Sequence, residues 1–406
     1  MKTLAKVLLA VLTAASVVSA QTPGDNLRVY LMTLGPGDAV WERFGHNAIV
    51  VEDISSQTSI AYNWGMFDFD QPGYVPRLMQ GRMIYWMAGY DTQAFANAYV
   101  QANRSIWMQE LNLTPEQKVA VRDFVQWNEQ EANKFYRYDY YRDNCSTRVR
   151  DAIDRVVGGQ LKTFLQSRAV DQTYRSHTQR LTYDDALTYT GLQLAMGHLI
   201  DQPITAWEES FIPMELQEWV RQAKVRDASG REAPLVAREV TLFEANRAPL
   251  AERAPSLIIW YVIVGLAIGG GLLLFARAAR SRGRTVVLAV AIALWAGLTG
   301  IFGTLITLLW AFTDHAVTYY NENIMQTNPL LLILAVAAPM ALLGSGRGRK
   351  TAMRVAMVVA GLSVLGFLMQ ALPRLDQVNG EIIALFMPVH IAVAYILSSP
   401  RKTVTA

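Results

Sequence analysis

The one cysteine of this 406-residue chain lies in Asn144-Cys145-Ser146, between a tyrosine-rich polar stretch, 136–143, and a segment, 147–157, whose apolar spacing predicts an amphipathic helix. A sulfur in the first turn of a helix faces the positive end of the macrodipole, which favours thiolate and makes Cys145 a candidate nucleophile. A lone cysteine forms no internal disulfide, so the thiol is either buried and inert or exposed and used. The polar flank Arg142-Asp143-Asn144 argues for use, although Asp143 and Asn144 also suit ordinary helix caps.

A thiol nucleophile needs a base, and the base an orienting partner. Of the five histidines, His46 has the best setting, because Phe44-Gly45-His46-Asn47-Ala48 enters a strand from a glycine and a sheet can thereby present an imidazole to a helix start packed across it. Asn63, on the strand expected to pair with that of His46, could hold the second ring nitrogen and fix the tautomer, or shape a turn. Glu52 shares the face of His46 but stands far along the strand, and His177 and His198 occupy helical or loop sequence. The tyrosine run, which includes Tyr141, reads as packing with one hydroxyl in the site. The scattered histidines show no zinc-ligand spacing, so no metal or other cofactor is expected.

The elements that must position these groups divide into two domains. Residues 1–20 carry Lys2 and Lys6, an apolar run and Val18-Ser19-Ala20, the pattern of a cleavable secretory signal, with no cysteine after the cleavage point. Residues 21–253 form a mixed, charged exported domain of α+β type. Strands are predicted at Leu27–Leu34, His46–Asp53 (alternating and half-buried), 59–64, 83–90 and 105–111. Thr114-Pro115-Glu116-Gln117 starts a helix running to about Phe135, Gly158-Gly159 closes the next, and 225–246 reads as a hairpin turning at Ala228-Ser229-Gly230. Residues 254–406 form an all-α transmembrane domain with five apolar runs, 256–276, 286–312, 329–343, 352–372 and 382–397, near the roughly 20 residues that cross a bilayer. Arg277, Arg280, Arg282 and Arg284, then Arg347, Arg349 and Lys350, then Arg401 and Lys402 follow the first, third and fifth runs, which puts those loops in the cytoplasm and the first domain outside. The net charge of +3 thus reports topology and not nucleic-acid binding. Trp260, Tyr261, Trp310, Tyr319 and Tyr320 fall at the outer interface. There Asp314, His315, Asn321 and Asn323 form a polar loop that could hold a lipid head group or an amine, or lie in solvent.

Phe44-Gly45-His46-Asn47-Ala48, Tyr62-Asn63-Trp64-Gly65-Met66-Phe67-Asp68-Phe69 and Tyr141-Arg142-Asp143-Asn144-Cys145-Ser146-Thr147-Arg148, with Thr313-Asp314-His315 and Asn321-Glu322-Asn323, resemble in order the motifs of the Lnb family across nearly the whole mature chain. The resemblance implies a permuted papain-like fold, related to NlpC-type hydrolases and lecithin:retinol acyltransferase (LRAT-like), in a multi-pass protein of the bacterial inner membrane with its first domain in the periplasm. It implies lipoprotein N-acyltransfer with His46 and Cys145 at the catalytic positions. Asn63 stands at the third, where acyltransferase relatives often use a second histidine. A glycerophospholipid would be the acyl donor and a diacylated lipoprotein the acceptor, with Asn144, Tyr141 and the polar loop near the substrates. Two other classes use the same residues differently: a cysteine amidase or peptidase of cell-wall peptide, which needs no five-span domain, and a non-enzymatic membrane assembly or sensor protein, which does not need the thiol.

Overall fold

The computed structural model describes residues 22–226, 230–279, 281–344 and 348–399. The signal segment 1–20, Ala228 and Ser229 of the expected turn, and Arg280, Arg347, Arg401 and Lys402 lie outside the described residues. In the first domain the strands are β1 Leu27–Leu34, β2 His46–Asp53, β3 Thr58–Met66, β4 Ile84–Asp91, β5 Ile106–Leu111, β6 Phe135–Arg137, β7 Lys224–Arg226, β8 Glu232–Pro234 and β9 Val236–Phe243. Its helices are α1 Tyr74–Gln80, α2 Thr92–Gln101, α3 Pro115–Glu129, α4 Cys145–Val156, α5 Gln160–Gln166, α6 Tyr174–Thr182, α7 Ala186–Ala195, α8 Ala206–Glu209 and α9 Pro213–Gln222.

Seven strands form one antiparallel sheet in the order β6-β4-β3-β2-β1-β5-β9. β2 is not half-buried as its alternation suggested; it is covered on both faces. Ile49 and Val51 join Tyr62, Trp64 and the apolar side of α3, α4 and α9, while Ala48 and Val50 join Ala61, Phe95 and Ala96 under α2. Alanine and valine suit a sheet pressed between two helical layers, whereas a solvated face would require polar alternation.

Helix α3 starts as expected, with Thr114 and Gln117 in a capping box and Pro115 at the first position. It stops at Glu129, well before Phe135. Asn128 accepts from Trp64 Nε1 at 2.8 Å and donates to Asn133 O at 2.8 Å, which folds the chain back so that Phe135–Arg137 can pair with β4. The expected hairpin at 225–246 reduces to β7 and β8; β9 leaves it to cover the open edge of β5.

Five helices follow: α10 Ile258–Ala278, α11 Arg282–Phe312, α12 Leu330–Leu343, α13 Arg349–Met369 and α14 Gly380–Ser398. All five predicted spans are present. The third, 14 residues as an α-helix, reaches 22 residues when the preceding 3-10 turn is included, which resolves its apparent shortness. The bundle runs α11-α12-α13-α14-α10, so the first span packs on the last. Gly265 and Gly269 of α10 make that crossing close: a Cβ on Gly265 would lie 2.3 Å from Ala384 O, and one on Gly269 2.8 Å from Pro388 O. Small residues four apart bring backbones together where lipid supplies no hydrophobic drive between helices.

Gly265→Leu is therefore expected to separate α10 from α14 and destabilise the detergent-solubilised protein by about 1–3 kcal/mol. A Cβ on Gly271 would meet no atom within 4 Å, so Gly271→Ala should be accepted without loss. Thermal melts of the two variants check this.

Candidate active site

Helix α4 begins at Cys145 because Asn144 caps it: Asn144 Oδ1 accepts from Ser146 N at 2.9 Å and Thr147 N at 3.0 Å, while Thr147 Oγ1 accepts from Asn144 N at 2.8 Å. The Asn144 amide donates to Tyr140 O and Phe211 O, 3.1 and 3.0 Å. The next residue ties the helix to the sheet. Ser146 Oγ lies 2.8 Å from Asn47 Oδ1 and 2.7 Å from Ser210 O, all fully buried, and Asn47 Nδ2 donates to Thr33 Oγ1 at 2.9 Å.

His46 opens β2 on the opposite face from α4, its ring 6.4 Å from that of Phe95 on α2. The imidazole is thus not presented to a helix packed across its own face. Cysteine and histidine instead both border Gly65 at the end of the sheet, where β3 is irregular after Asn63 and the glycine takes φ +94°. A Cβ on Gly65 would lie 3.3 Å from Cys145 Cβ and 3.9 Å from His46 Cε1. Glycine supplies both the left-handed backbone and the empty space that the two side chains border.

Asn63, fully buried, places Oδ1 3.3 Å from His46 Nε2 and donates from Nδ2 to Ala88 O at 3.0 Å. Because the amide nitrogen is engaged by a carbonyl, the oxygen faces the ring and Nε2 carries the hydrogen. Nδ1 is left with the lone pair that a base requires.

The electrostatics differ from the thiolate expected of a helix start. Burial pushes the Cys145 thiol up to about 11, although the backbone N–H groups of Asn47, Ser146 and Cys145 itself favour its ionised form. Burial also pulls His46 down to about 4, assisted by the Arg104 charge and opposed by Asn63. The resting pair is thiol and neutral imidazole. Desolvation outweighs the helix end here because the site is ringed by aromatic groups: Tyr99, Tyr136 and Tyr138 all stand near enough to feel the charge of a Cys145 thiolate, although burial is the larger influence on each.

Arg104, Asn47 and Gly65 were not singled out as site residues from sequence. Arg104 is buried, donating from Nε to Gly35 O at 2.9 Å, 3.3 Å from Glu42 Oε1, and 4.5 Å from the Tyr99 ring centre. Before β5 it reads as an ordinary loop cation, so no sequence signal marks it; Asn47 and Gly65 lay inside the family motifs.

The remaining candidates are engaged within the protein. Tyr141 is buried with its hydroxyl 2.9 Å from Thr178 Oγ1. Asp314 Oδ2 accepts from Arg82 at 2.7 Å and Arg137 at 2.8 Å, and His315 Nε2 lies 2.7 Å from Leu78 O with its ring stacked on Tyr140, 6.2 Å between centres. Asn321 and Asn323, both buried, donate to the carbonyls of Leu194 and Ala195 and of Gln193 and Leu194, at 2.8 to 3.1 Å. Those carbonyls end α7, so the membrane domain caps a helix of the exported domain. The loop, which from sequence suits either a lipid or amine site or a solvated loop, forms a seam between the domains. Elsewhere, His177 pairs with buried Glu209 at 2.9 Å and His198 with Gln202 at 3.0 Å, and Glu52 accepts from Tyr30 at 2.8 Å.

Two measurements follow from this geometry. Burial disfavours the thiolate, so alkylation of Cys145 by iodoacetamide should quicken about tenfold per pH unit from pH 7 to 9 without levelling off near neutrality; a neutral plateau would mean a preformed ion pair. Asn321→Ala with Asn323→Ala leaves buried carbonyls unpaired and should lower the stability of the full chain by about 2 kcal/mol, read as a lower melting temperature.

The chain matches the family model of the Lnb N-terminal periplasmic domain over residues 14–180 and that of the Lnb transmembrane domain over residues 260–402. No curated protein and no solved structure matches it. The exported domain docks on the loops 313–329 and 370–379, at the bundle ends opposite Arg277, Arg282, Arg284, Arg349 and Lys350, as a periplasmic position demands. With a periplasmic α+β domain and five membrane-spanning helices, each matched by its own domain model, the chain belongs to the Lnb family and is a multi-pass inner-membrane protein of the lipoprotein-processing type.

Proposed function

We propose that the protein is a lipoprotein N-acyltransferase working through a Cys145 thioester, on a permuted papain-like periplasmic domain. The observation that supports the reading is that Cys145 and His46 both border Gly65, with Asn63 at Nε2 of the imidazole. In the first half-reaction Nδ1 of His46 takes the thiol proton as Sγ attacks the ester carbonyl of a glycerophospholipid. The tetrahedral intermediate collapses, the C–O bond breaks, and the imidazolium returns the proton to the departing lysophospholipid oxygen. In the second, the α-amine of a diacylglyceryl-cysteine attacks the thioester; the C–S bond breaks, His46 relays the amine proton to Sγ, and an amide is left.

A neutral resting pair suits this sequence, since charge separates only while a substrate fills the site, where backbone N–H groups at the start of α4 can stabilise negative charge. Lipid substrates require a site at the membrane surface. Support comes from the seam: Asn144 donates to Tyr140 O, and the Tyr140 ring stacks on His315 of the membrane domain.

Mass spectrometry of lipoprotein N-termini from cells with and without the chain tests the proposal. The expected result is an N-acylated cysteine that disappears in the Cys145→Ser and His46→Ala variants, with transfer reduced by about three orders of magnitude or more. Gain of one acyl chain in total indicates the phospholipid donor, whereas an unchanged total indicates transfer from the lipoprotein's own glyceryl ester. Full N-acylation with Cys145→Ser would remove the enzyme reading.

A further inference from the structure

The two segments that bring His46 and Gly65 together also carry apolar side chains to the surface. Trp41 stands just before His46 and is 62% exposed; Phe69 stands just after Gly65 and is 59% exposed. Their rings meet edge to face at 6.1 Å. Asp68 accepts from Asp70 N at 2.9 Å, a tight turn with Phe69 at its tip. Alongside, α1 exposes Val75 (62%) and Met79 (53%), one helical turn apart on a single stripe.

Such a surface is unfavourable in water, and its neighbour is the bilayer. Gln80 O of α1 accepts from Asp314 N at 2.9 Å, and Leu78 O faces His315 Nε2 at 2.7 Å. Both partners follow closely on the outer end of α11, against which α1 packs and whose last residue, Phe312, is 78% exposed. The stripe on α1 is therefore carried beside the outer end of a membrane-spanning helix. From it a run of rings leads inward: Phe69 to Phe67 at 5.1 Å, Phe67 to Tyr85 at 5.1 Å, Tyr85 to Tyr138 at 4.2 Å. Tyr138 is one of the three tyrosines grouped about Cys145.

We propose that Trp41, Phe69, Val75 and Met79 insert into the outer leaflet of the membrane and that the ring path behind them guides an acyl chain from the leaflet to Cys145. Insertion stands on the exposed face and its place beside the outer end of α11; guidance rests on the acyl-transfer reading. Tryptophan and phenylalanine at the head-group boundary are the side chains such a face requires, and the contacting rings behind it make the route toward the tyrosines about Cys145 apolar. The ester carbonyl then arrives at the thiol with its chain still in apolar surroundings.

Insertion is read with a nitroxide label on Phe69→Cys in the Cys145→Ser full chain, reconstituted in vesicles of phosphatidylethanolamine and phosphatidylglycerol. A label on Ser56→Cys, in the turn at the far end of β2, is the aqueous reference. The label at 69 should be relaxed by oxygen more than by a water-soluble nickel chelate, and that at 56 the reverse; equal behaviour at the two sites overturns insertion. Guidance is read with Trp41→Ser combined with Phe69→Ser. Transfer of an acyl chain from vesicle lipid should fall about tenfold or more, while iodoacetamide alkylates Cys145 at the wild-type rate; unchanged transfer overturns guidance. If the wild-type chain itself moves no acyl group, the acyl-transfer reading and guidance with it fail, and the label at 69 still decides insertion.

Discussion

The bond between Ser146 Oγ and Asn47 Oδ1 sets the rest of the site. Each partner is the immediate neighbour of a candidate catalytic residue, so fixing the pair at 2.8 Å ties the positions of Cys145 and His46 together although the two lie on opposite sides of the sheet. The bond is fully buried, with Ser210 O and Thr33 Oγ1 completing its partners. No water can replace any of these groups, so a slip of helix α4 along the sheet would strand several polar atoms at once. Asn144, held by Phe211 O and Tyr140 O, anchors the same helix start from the other side. Gly65 then leaves open a space in which a Cβ would lie 3.3 Å from Cys145 Cβ and 3.9 Å from His46 Cε1.

The electrostatic setting follows from that enclosure. A helix start alone would draw the thiol toward thiolate, yet the aromatic ring around it raises the cost of charge more than the backbone donors lower it. The same burial keeps His46 neutral, so the candidate base and the candidate nucleophile are both uncharged. In an oxidising compartment this has a use, because oxidation of cysteine follows thiolate character and exposure. A thiol held neutral and partly enclosed is protected from oxidation.

The membrane domain is more than an anchor. Its Asn321 and Asn323 supply the donors that the last carbonyls of α7 need, and Gln377 serves Met196 O in the same way at 3.0 Å. Tyr189 of α7 also reaches Glu381 at 2.8 Å, at the start of α14. A helix end satisfied from another domain fixes the angle between the two, and with it the height of the candidate site above the membrane-spanning helices. The polar loop that sequence offered as a lipid-binding candidate is the piece that sets this angle.

Much was legible from local pattern. The capping box at Thr114 and Gln117, the cap at Asn144, the strand at His46 and the five apolar runs each depend on residues within one turn or one span of each other, so the chain states them directly. Where a segment's fate depended on a distant partner, local pattern misled: α3 ends early because Trp64 holds Asn128, β9 leaves its hairpin because β5 has an open edge, and β2 is covered twice because α2 returns over its second face. The active-site candidates divide in the same way. Residue type and motif order pointed to Cys145, His46 and Asn63 and to an exported domain on a five-span base. Only the folded chain decided that Cys145 and His46 both border Gly65 at the end of the sheet, that Arg104 lies within electrostatic reach of both, and that the two groups rest neutral. Proximity between residues a hundred positions apart, and the solvent they exclude by coming together, exist only after the layers have packed.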